Sequence, residues 1–203
     1  MYAVRHAESA MNVQPHLIGG RSNEAELTTL GVTQARALGQ LLLQVIELPA
    51  VVYASPAVRT QATAFAAFTE MGIDPPIILD AALLEMDQGD YVGRQRADVY
   101  TPAVLEDIER LGKDFALPGG ESMNGVGKRM VDWVHSHEEE ADDGPLLFFG
   151  HGLAIRCLAS TLHGWSHEKT FTTSVPNASL TKFVQIDGPW ELAYLGRLPL
   201  GVQ

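Results

Sequence analysis

Short apolar runs alternate along the chain with longer stretches in which apolar residues recur at helical spacing. Each run is continuous, rich in β-branched or aromatic residues and bounded by turn-forming residues, which is typical of strands buried on both faces of a sheet. The runs lie at residues 2–4, 51–54, 77–79 and 146–149. They predict four β-strands.

Apolar residues three and four positions apart predict a helix, and four stretches of the chain have this spacing. The stripes are Ala35, Leu38, Leu41, Leu42 and Val45; Val58, Ala62, Phe65 and Phe68; Val126, Met130, Trp133, Val134 and His137; and Ile155, Leu158, Ala159 and Leu162. Ser55 followed by Pro56 predicts an N-cap with proline at the first helical position, and Ser122 predicts another N-cap. We therefore expect helices to begin near residues 56 and 123.

Strands that alternate with helices predict an α/β fold with a mostly parallel sheet. Residues 179–185 and 190–195 flank the dipeptide Asp187-Gly188, which is typical of a β-hairpin, so we expect an antiparallel edge at the C-terminal end. Residues 86–118 show two or three short helical pieces and no strand pattern. We interpret them as a helical insertion that lies over the sheet as a lid.

The composition fits one sizeable core, because 46% of the 203 residues are apolar. We expect a single domain over residues 1–203, including the lid at about 86–118. No apolar run reaches the ~18 residues that a membrane span needs. The first residues do not show the pattern of a signal peptide, and the lone Cys157 cannot form an intrachain disulfide. These features favour a cytoplasmic protein that does not bind membranes.

The net charge of −11 argues against nucleic-acid binding, which requires a basic face. It also constrains any phosphorylated ligand, because the overall field of the protein would repel an anion. A phosphate site in this chain would have to gather several arginines locally.

Polar residues follow the predicted strands at the points where ligands bind in open α/β sheets, beyond the carboxyl ends of the strands. The candidates are Arg5, His6 and Glu8 after the first strand, Ser55 and Arg59 after the second, Glu85 after the third, and Gly150, His151 and Gly152 after the fourth. Two arginines, two histidines and a glutamate are therefore predicted to converge on one rim of the sheet.

The chemistry of this set points to phosphoryl transfer. Planar guanidinium groups and the free amides at a helix N-terminus bind a tetrahedral dianion. A neutral histidine can attack phosphorus and carry the phosphoryl group, while a second, protonated histidine stabilises the charge on the equatorial oxygens. A partly desolvated glutamate can give a proton to the leaving alkoxide. Glu85 is the candidate, with Asp87 and Asp90 as alternatives nearby.

The sequence Arg5-His6-Ala7-Glu8-Ser9, followed by Asn12, resembles the R-H-G-E-x-x-x-N signature of the histidine phosphatase superfamily, in the branch that contains phosphoglycerate mutases and many bacterial phosphatases. Further segments in the same order are similar to the motifs of that family: residues 26–35 (L-T-x-x-G-x-x-Q-A), 55–64 (S-x-x-x-R-x-x-x-T-A), 84–93 (E-x-x-x-G-x-x-x-G), 118–122 and 150–152. The resemblance extends to about residue 197.

This resemblance implies a three-layer αβα sandwich and a phosphatase that needs no metal or other cofactor. It implies that His6 becomes phosphohistidine, that Arg5, Arg59 and His151 hold the phosphoryl group together with Asn12, and that Glu85 is the proton donor. Ala7 departs from the usual glycine, at a cost of about 1 kcal/mol if the backbone there needs a positive φ.

Further residues are candidates for substrate binding. Gly20, Arg21 and Gly152 are expected at the site, and Arg21 could contact a carboxylate or second phosphate of the substrate. Arg94 and Arg96 in the lid either touch the substrate or form a solvated face. The expected substrate is a small phosphomonoester.

Several alternative functions remain open from the sequence. A phosphoglycerate mutase shares the pocket, although the chain is short and has few basic residues after Glu85. Gly120 to Asn124 nearly matches the G-x-S-x-G of serine hydrolases, which makes Ser122 a rival nucleophile. A phosphate-binding protein without catalysis is a third reading. The C-terminal hairpin or an edge strand could pair two subunits as a homodimer.

Overall fold

Six strands form one mixed sheet in this computed structural model, which describes residues 1–47, 51–142, 144–185 and 188–201. The strands are β1 (Tyr2–Arg5), β2 (Val52–Ala54), β3 (Ile77–Leu79), β4 (Leu147–Gly150), β5 (Leu180–Gln185) and β6 (Trp190–Arg197). Their order is β3-β2-β4-β1-β5-β6. The first four pair in parallel, and β5 and β6 add an antiparallel edge, as the sequence predicted.

Helices cover both faces of this sheet and complete the three layers. They are α1 (Thr29–Val45), α2 (Val58–Met71), α3 (Arg96–Val99), α4 (Pro102–Leu111), α5 (Met123–Ser136), α6 (Glu138–Asp142), α7 (Gly152–His163) and α8 (His167–Thr172). Successive residues of a strand point to opposite faces. Phe149 accordingly packs with α1 and α2, and Phe148 packs with α5 and α7.

The predicted burial is correct for the inner strands and wrong for β3. All residues of β2 and β4 are buried, whereas Ile78 and Leu79 of β3 are 47% and 50% exposed. The reason is position, because β3 is the outermost strand on its side of the sheet. A short apolar run does not by itself indicate whether a strand is central or at an edge.

The face that α2 buries also differs from the predicted stripe. Phe65 is 68% exposed, while Thr60, Thr63 and Ala64 are buried. Phe68 of the predicted stripe is buried as expected, and α1 lies very close to α2, because a Cβ on Gly39 would collide with the carbonyl oxygen of Ala67. The rotation also turns Arg59 inward, at the start of the helix.

The two predicted helix caps have different outcomes. Ser122 caps α5 by accepting a hydrogen bond from the Gly125 amide at 3.1 Å, as expected. Ser55 does not cap α2, which begins at Val58 after Ala57, so Pro56 is not its first residue. The Ser55 hydroxyl instead contacts His151 Nε2 at 2.9 Å, and its position therefore concerns the site.

The last two strands and the 86–118 segment complete the chain. β5 and β6 pair from Gln185 opposite Trp190, and Asp187 of the predicted hairpin turn lies outside the described residues. The 86–118 segment, described throughout, contains two 3-10 turns together with α3 and α4, and no strand. Ile18 bonds its backbone to Gly93 and Arg94, which fixes the loop before residue 20 against this segment. In the described parts of the chain, every helix is too short or too polar to cross a membrane.

Candidate active site

His6 lies immediately after β1 and is buried, with 4% of its surface exposed. Its Nδ1 lies 2.7 Å from the Ala7 carbonyl oxygen and must donate to it, because a carbonyl can only accept. Arg59 Nε donates to Nε2 at 3.2 Å, so Nε2 carries the lone pair. Burial, followed by the charges of Arg59 and Arg5, holds the pKa of His6 well below its usual range. The imidazole is therefore neutral and has its nucleophilic nitrogen facing the arginines.

The backbone around His6 is fixed without help from a glycine at the next position. Among the described residues, Ala178 is the non-glycine residue with positive φ, and Ala7 has none, so the expected cost at Ala7 does not arise. The Ala7 amide donates to Thr63 Oγ1 at 3.0 Å. Asn177 Nδ2 and the Ala178 amide both donate to the His6 carbonyl, at 3.0 and 3.1 Å. The sequence pattern did not indicate Asn177.

The two arginines approach His6 from different elements. Arg59, on the first turn of α2, donates through Nη2 to His151 Nδ1 at 3.1 Å in addition to its bond to His6. Arg5 donates through Nη1 to the Val175 carbonyl, and its buried Nε has no hydrogen-bond partner among the described residues. A Cβ on Gly152 would lie 3.0 Å from that Nε, so glycine is what admits the Arg5 side chain. An unpartnered guanidinium N–H beside a helix N-terminus is suited to an anion.

His151 is fully buried behind Arg59, and its ring centre lies 5.2 Å from that of His6. Since Nδ1 accepts from Arg59, the neutral tautomer has its proton on Nε2 and donates to Ser55 Oγ. Burial, followed by the neighbouring charges of His6, Arg59 and Arg5, holds the pKa of His151 well below its usual range. Without a bound anion, His151 is therefore neutral, and the protonated His151 expected during phosphoryl transfer stays a prediction. A bound dianion would favour the protonated form.

Glu85 follows β3 and a 3-10 turn, and it reaches the N-terminus of α7. Its Oε1 accepts from the amides of Met86 and Ala154 at 2.9 and 3.0 Å, and its Oε2 accepts from the Leu153 amide at 3.2 Å. The rival carboxylates, Asp87 and Asp90, are absent from the described residues that line the cavity next to His6, whereas Glu85 lines it.

Ion pairs hold the backbone on both sides of Glu85. Arg21 donates to the Glu85 carbonyl at 3.1 Å and pairs with Asp87 and Glu121, at 3.2 Å each. Arg129 donates to Glu121 and to the Leu84 carbonyl. Burial raises the pKa of the Glu121 carboxyl, but hydrogen bonds from Arg129 and the Asp87 amide outweigh this, so the pKa is lowered overall.

The predicted substrate contact of Arg21 is not supported by this arrangement. Arg21 does not appear among the described residues that line the cavity, and its guanidinium is bound to the three partners around Glu85. A loop arginine and a substrate-binding arginine look alike in sequence, since only the path of the chain decides which way the side chain points.

Asn12 and Gly20 do line the cavity. Asn12 Oδ1 accepts from the Ser9 amide and hydroxyl at 2.9 and 3.0 Å, so its Nδ2 is the group that can donate to a ligand. Gly20 has a φ of 49°, and a Cβ there would lie 2.7 Å from Gln88 Cγ. Gly20 thus allows the loop and the 86–118 segment to approach closely above the site.

The cavity has a volume of about 430 Å³ and unites most of the predicted residues. Those that line it are Arg5, His6, Asn12, Gly20, Arg59, Glu85 and Gly152. Arg96 also lines it, whereas Arg94 does not appear among the lining residues described and lies over the Tyr91 ring. Arg156 lines it too and was missed. Its signal was its position one helical turn after Gly152, on the same face of α7.

The described residues contain no group of three or more His, Cys, Asp or Glu side chains that could hold a metal ion. Ser122, the rival nucleophile, caps α5 and is likewise not among the described lining residues of the cavity. The site is thus an anion pocket of arginines and a helix N-terminus, with a neutral histidine and a carboxylate facing it, at the carboxyl edge of a three-layer α/β sheet.

These features belong to a known class of phosphoryl-transfer enzymes. The family model of the histidine phosphatase superfamily (branch 1) matches residues 1–197, and the chain is a member of this superfamily and an enzyme. A probable phosphoglycerate mutase, GpmB of Yersinia pestis, is 28% identical over 193 residues, covering 94% of this chain and 86% of that protein.

Solved structures give the same fold over nearly the whole chain. A mycobacterial glucosyl-3-phosphoglycerate phosphatase is 25% identical with a TM-score of 0.80, covering 97% of this chain and 98% of that one. The product of an open reading frame of Mycobacterium tuberculosis is 27% identical with a TM-score of 0.79, covering 98% and 97%. The α-ribazole phosphatase of Shigella flexneri, at 22% identity, shares the fold with a TM-score of 0.81 and covers 100% and 98%.

Proposed function

We propose that the chain hydrolyses small phosphomonoesters through a phosphohistidine on His6, with Glu85 as proton donor. The observation that carries the proposal is the position of Arg59, which donates to His6 Nε2 at 3.2 Å and to His151 Nδ1 at 3.1 Å. One guanidinium therefore lies between the neutral nucleophile and the second histidine. A phosphoryl group bound against this guanidinium would face the lone pair of His6 Nε2 on one side and would accept hydrogen bonds from the surrounding N–H donors.

The first half of the reaction forms the covalent intermediate. The phosphoryl oxygens replace the two histidines as acceptors of the hydrogen bonds from Arg59. The unpartnered Nε of Arg5 and the side-chain amide Nδ2 of Asn12 also donate to these oxygens. His6 Nε2 then forms a bond to phosphorus while the bond from phosphorus to the ester oxygen breaks. Glu85, on the amides of α7, gives its proton to the departing alkoxide. The dianion favours uptake of a proton from solvent by His151, which stabilises the transferring group and loses this proton again when phosphate leaves.

The second half returns the enzyme to its starting state. Glu85, now a carboxylate, takes a proton from a water molecule whose oxygen attacks phosphorus. The bond from phosphorus to Nε2 breaks, and phosphate leaves with His6 neutral again. The hydrogen bond from Nδ1 to the Ala7 carbonyl holds the ring in one orientation throughout.

Phosphoglycerate mutase activity is a second candidate, favoured by Arg96 and Arg156. Both guanidiniums line the same cavity in addition to Arg5 and Arg59, and they could bind a substrate carboxylate. A mutase would return the phosphoryl group to a bound hydroxyl instead of to water. Release of inorganic phosphate without isomerisation of 3-phosphoglycerate favours hydrolysis, and isomerisation without phosphate release favours the mutase.

The decisive experiment compares wild-type protein with His6→Ala on p-nitrophenyl phosphate in the presence of EDTA. We expect turnover that resists EDTA and falls by at least about 10⁴-fold in the variant, the order of loss seen when a covalent nucleophile is removed. His135→Ala is the matched control, because His135 is an exposed histidine at the end of α5.

Trapping separates the possible outcomes. Rapid denaturation in base during turnover should recover a phosphorylated protein. Its phosphoryl group should be lost in acid, as for a phosphohistidine, and the His6→Ala variant should carry no phosphoryl group. Undiminished turnover in His6→Ala would mean that another group is the nucleophile. Phosphate binding with no turnover of any phosphomonoester would favour a phosphate-binding protein without catalysis.

A further inference from the structure

A second chamber lies next to the cavity that contains His6. It has a volume of about 180 Å³, and its walls come from the 86–118 segment on one side and from α5, α7 and α8 on the other. Four residues line both spaces and form the threshold between them: Gln88, Arg96, Leu153 and Arg156. The two spaces are therefore adjacent, with these four residues between them.

The chamber begins where the leaving group must emerge. Glu85 lines the first cavity, and its carboxylate is held by the amides of Met86 and Leu153. These same two residues also line the chamber. In an in-line displacement the leaving oxygen lies opposite the attacking nitrogen of His6. An ester oxygen that receives the proton of Glu85 consequently carries its carbon substituent toward the chamber.

The chamber is apolar beyond its threshold. Its walls are formed mainly by Met86, Tyr100, Ile108, Phe115, Met123 and Phe171. The volume of about 180 Å³ is comparable to the ~150 Å³ cavity that holds a benzene ring. Methionine adapts to irregular apolar shapes and makes favourable contacts with aromatic rings. Sugar hydroxyl groups would find few partners there, whereas a ring would be desolvated.

The two arginines of the threshold border the chamber and also donate hydrogen bonds to backbone carbonyls near it. Arg156 Nη1 donates to the carbonyls of Phe171 and Thr173 at 2.9 and 2.7 Å, which ties α8 to α7. Arg96 donates to the Leu17 carbonyl at 3.1 Å and lies 5.8 Å from the Tyr100 ring centre. The entrance thus has charged groups at its rim, and the walls beyond it are mostly apolar, with Tyr100 and His167 as the polar side chains among the described residues that line them.

We propose that this chamber binds the alcohol part of the substrate and that this alcohol carries an apolar, ring-sized body. The inference rests on the proposed phosphatase function and narrows its substrates to monoesters of aromatic or branched aliphatic alcohols. Phe171, with 60% of its surface exposed, then has a role as the outer wall that contacts the ring.

The test measures binding, so that it does not depend on turnover. Two non-hydrolysable phosphonates, 3-phenylpropylphosphonate and propylphosphonate, present the same phosphoryl end and differ by a phenyl ring. Titration calorimetry on the wild-type protein should give a Kd about 10-fold lower for the phenyl compound, because burying a phenyl ring contributes a stabilisation of this order. Equal dissociation constants, or no binding of either compound, would overturn the proposal.

Two variants locate the ring. Ile108→Asn on α4 and Phe171→Ala on α8 should each reduce the preference for the phenyl compound to about twofold or less, because each removes apolar wall. Leu105→Asn is the matched control on α4, since Leu105 is 52% exposed and outside the lining residues described. A preference that persists in both wall variants places the ring elsewhere and overturns the proposal.

The outcomes also separate this inference from the proposed function. Turnover of p-nitrophenyl phosphate with no preference for the phenyl compound in binding would contradict the proposed role of the chamber and support the proposed phosphatase function. A preference for the phenyl compound that depends on Ile108 and Phe171, without turnover of any ester, would support the proposed role of the chamber and contradict the proposed phosphatase function.

Discussion

The residues that would hold the phosphoryl group and the residues around Glu85 are positioned by different forces. His6, Arg59 and His151 are 4%, 4% and 0% exposed. His6 and His151 directly follow β1 and β4, which pair in parallel, and Arg59 lies on the first turn of α2, after β2. Glu85 is instead held by helix amides and by the ion pairs of Arg21 and Glu121, with side chains 28% and 25% exposed. The buried core holds the residues of the first region in place, whereas the position of Glu85 in the second region depends on charges near the surface.

This difference has a chemical consequence. Burial lowers the pKa of His6 and His151, which keeps the nucleophile neutral, and it shields the guanidinium contacts from solvent. The region around Glu85 and the 86–118 segment is less buried and contributes the second chamber. We thus assign binding of the phosphoryl group to the buried region, and proton donation together with substrate choice to the region around Glu85.

The largest expected effect tests the buried region. Arg59→Lys keeps the charge and removes the fork that joins His6 to His151, so kcat/KM for p-nitrophenyl phosphate should fall by about 10²- to 10³-fold, as for the loss of a preorganised donor. Arg36→Lys, at an exposed position of α1, is the control. Retention of activity in Arg59→Lys, with thermal unfolding unchanged, would show that a positive charge at this position is sufficient for turnover and that the two-pronged guanidinium is not required.

An intermediate effect is expected where the ion pairs hold Glu85. Glu121→Gln weakens the pairs with Arg21 and Arg129, so the backbone of Glu85 loses part of its anchoring. We expect kcat to fall by about 10-fold through misplacement of the carboxylate. The Kd of propylphosphonate should change little, because the phosphoryl pocket is held by the sheet. Steady-state kinetics and calorimetry would measure this, with Glu106→Gln on α4 as the control.

The opposite pattern would contradict the division into two regions. If Glu121→Gln weakens phosphonate binding and leaves kcat unchanged, the ion pairs support the phosphoryl pocket and not the proton donor. The pH profile of the variant adds a second readout, since a displaced carboxylate changes its shape and a general loss of stability does not.

The smallest expected effect concerns pH. A histidine with an ordinary pKa of about 6.5 would lose neutral form about fivefold between pH 6.5 and 5.5. Because the pKa of His6 is lowered, the neutral form persists across this interval, and the nucleophile should cause no such loss. The measurement is kcat/KM from pH 5 to 8, corrected for ionisation of the substrate. A fivefold fall from pH 6.5 to pH 5.5 would show that His6 titrates normally.

Sequence reasoning reached the buried region more fully than the surface region, and the reason is physical. Arg5, His6 and His151 could be found because a strand end is visible in the sequence and parallel strands share one edge. Arg21 could not be placed, since loop packing alone turns it toward Glu121. Arg156 had a signal in its position one helical turn after Gly152 and was missed. Asn177, far along the chain, reaches the His6 carbonyl through a connection with no local signal.

The central position of β1 has a consequence for how the chain folds. Tyr2 pairs with Leu147 on one side and with Lys182 on the other, so the first strand has both partners near the end of the chain. Such long-range pairing is slow, and synthesis delivers the N-terminus first. The strand that leads into His6 can therefore pair only after β4 and β5 have been synthesised, and we expect the pocket to form late in folding. A ribosome-bound fragment ending before β4 contains His6 and Arg59 but has no sheet in which to bring them together.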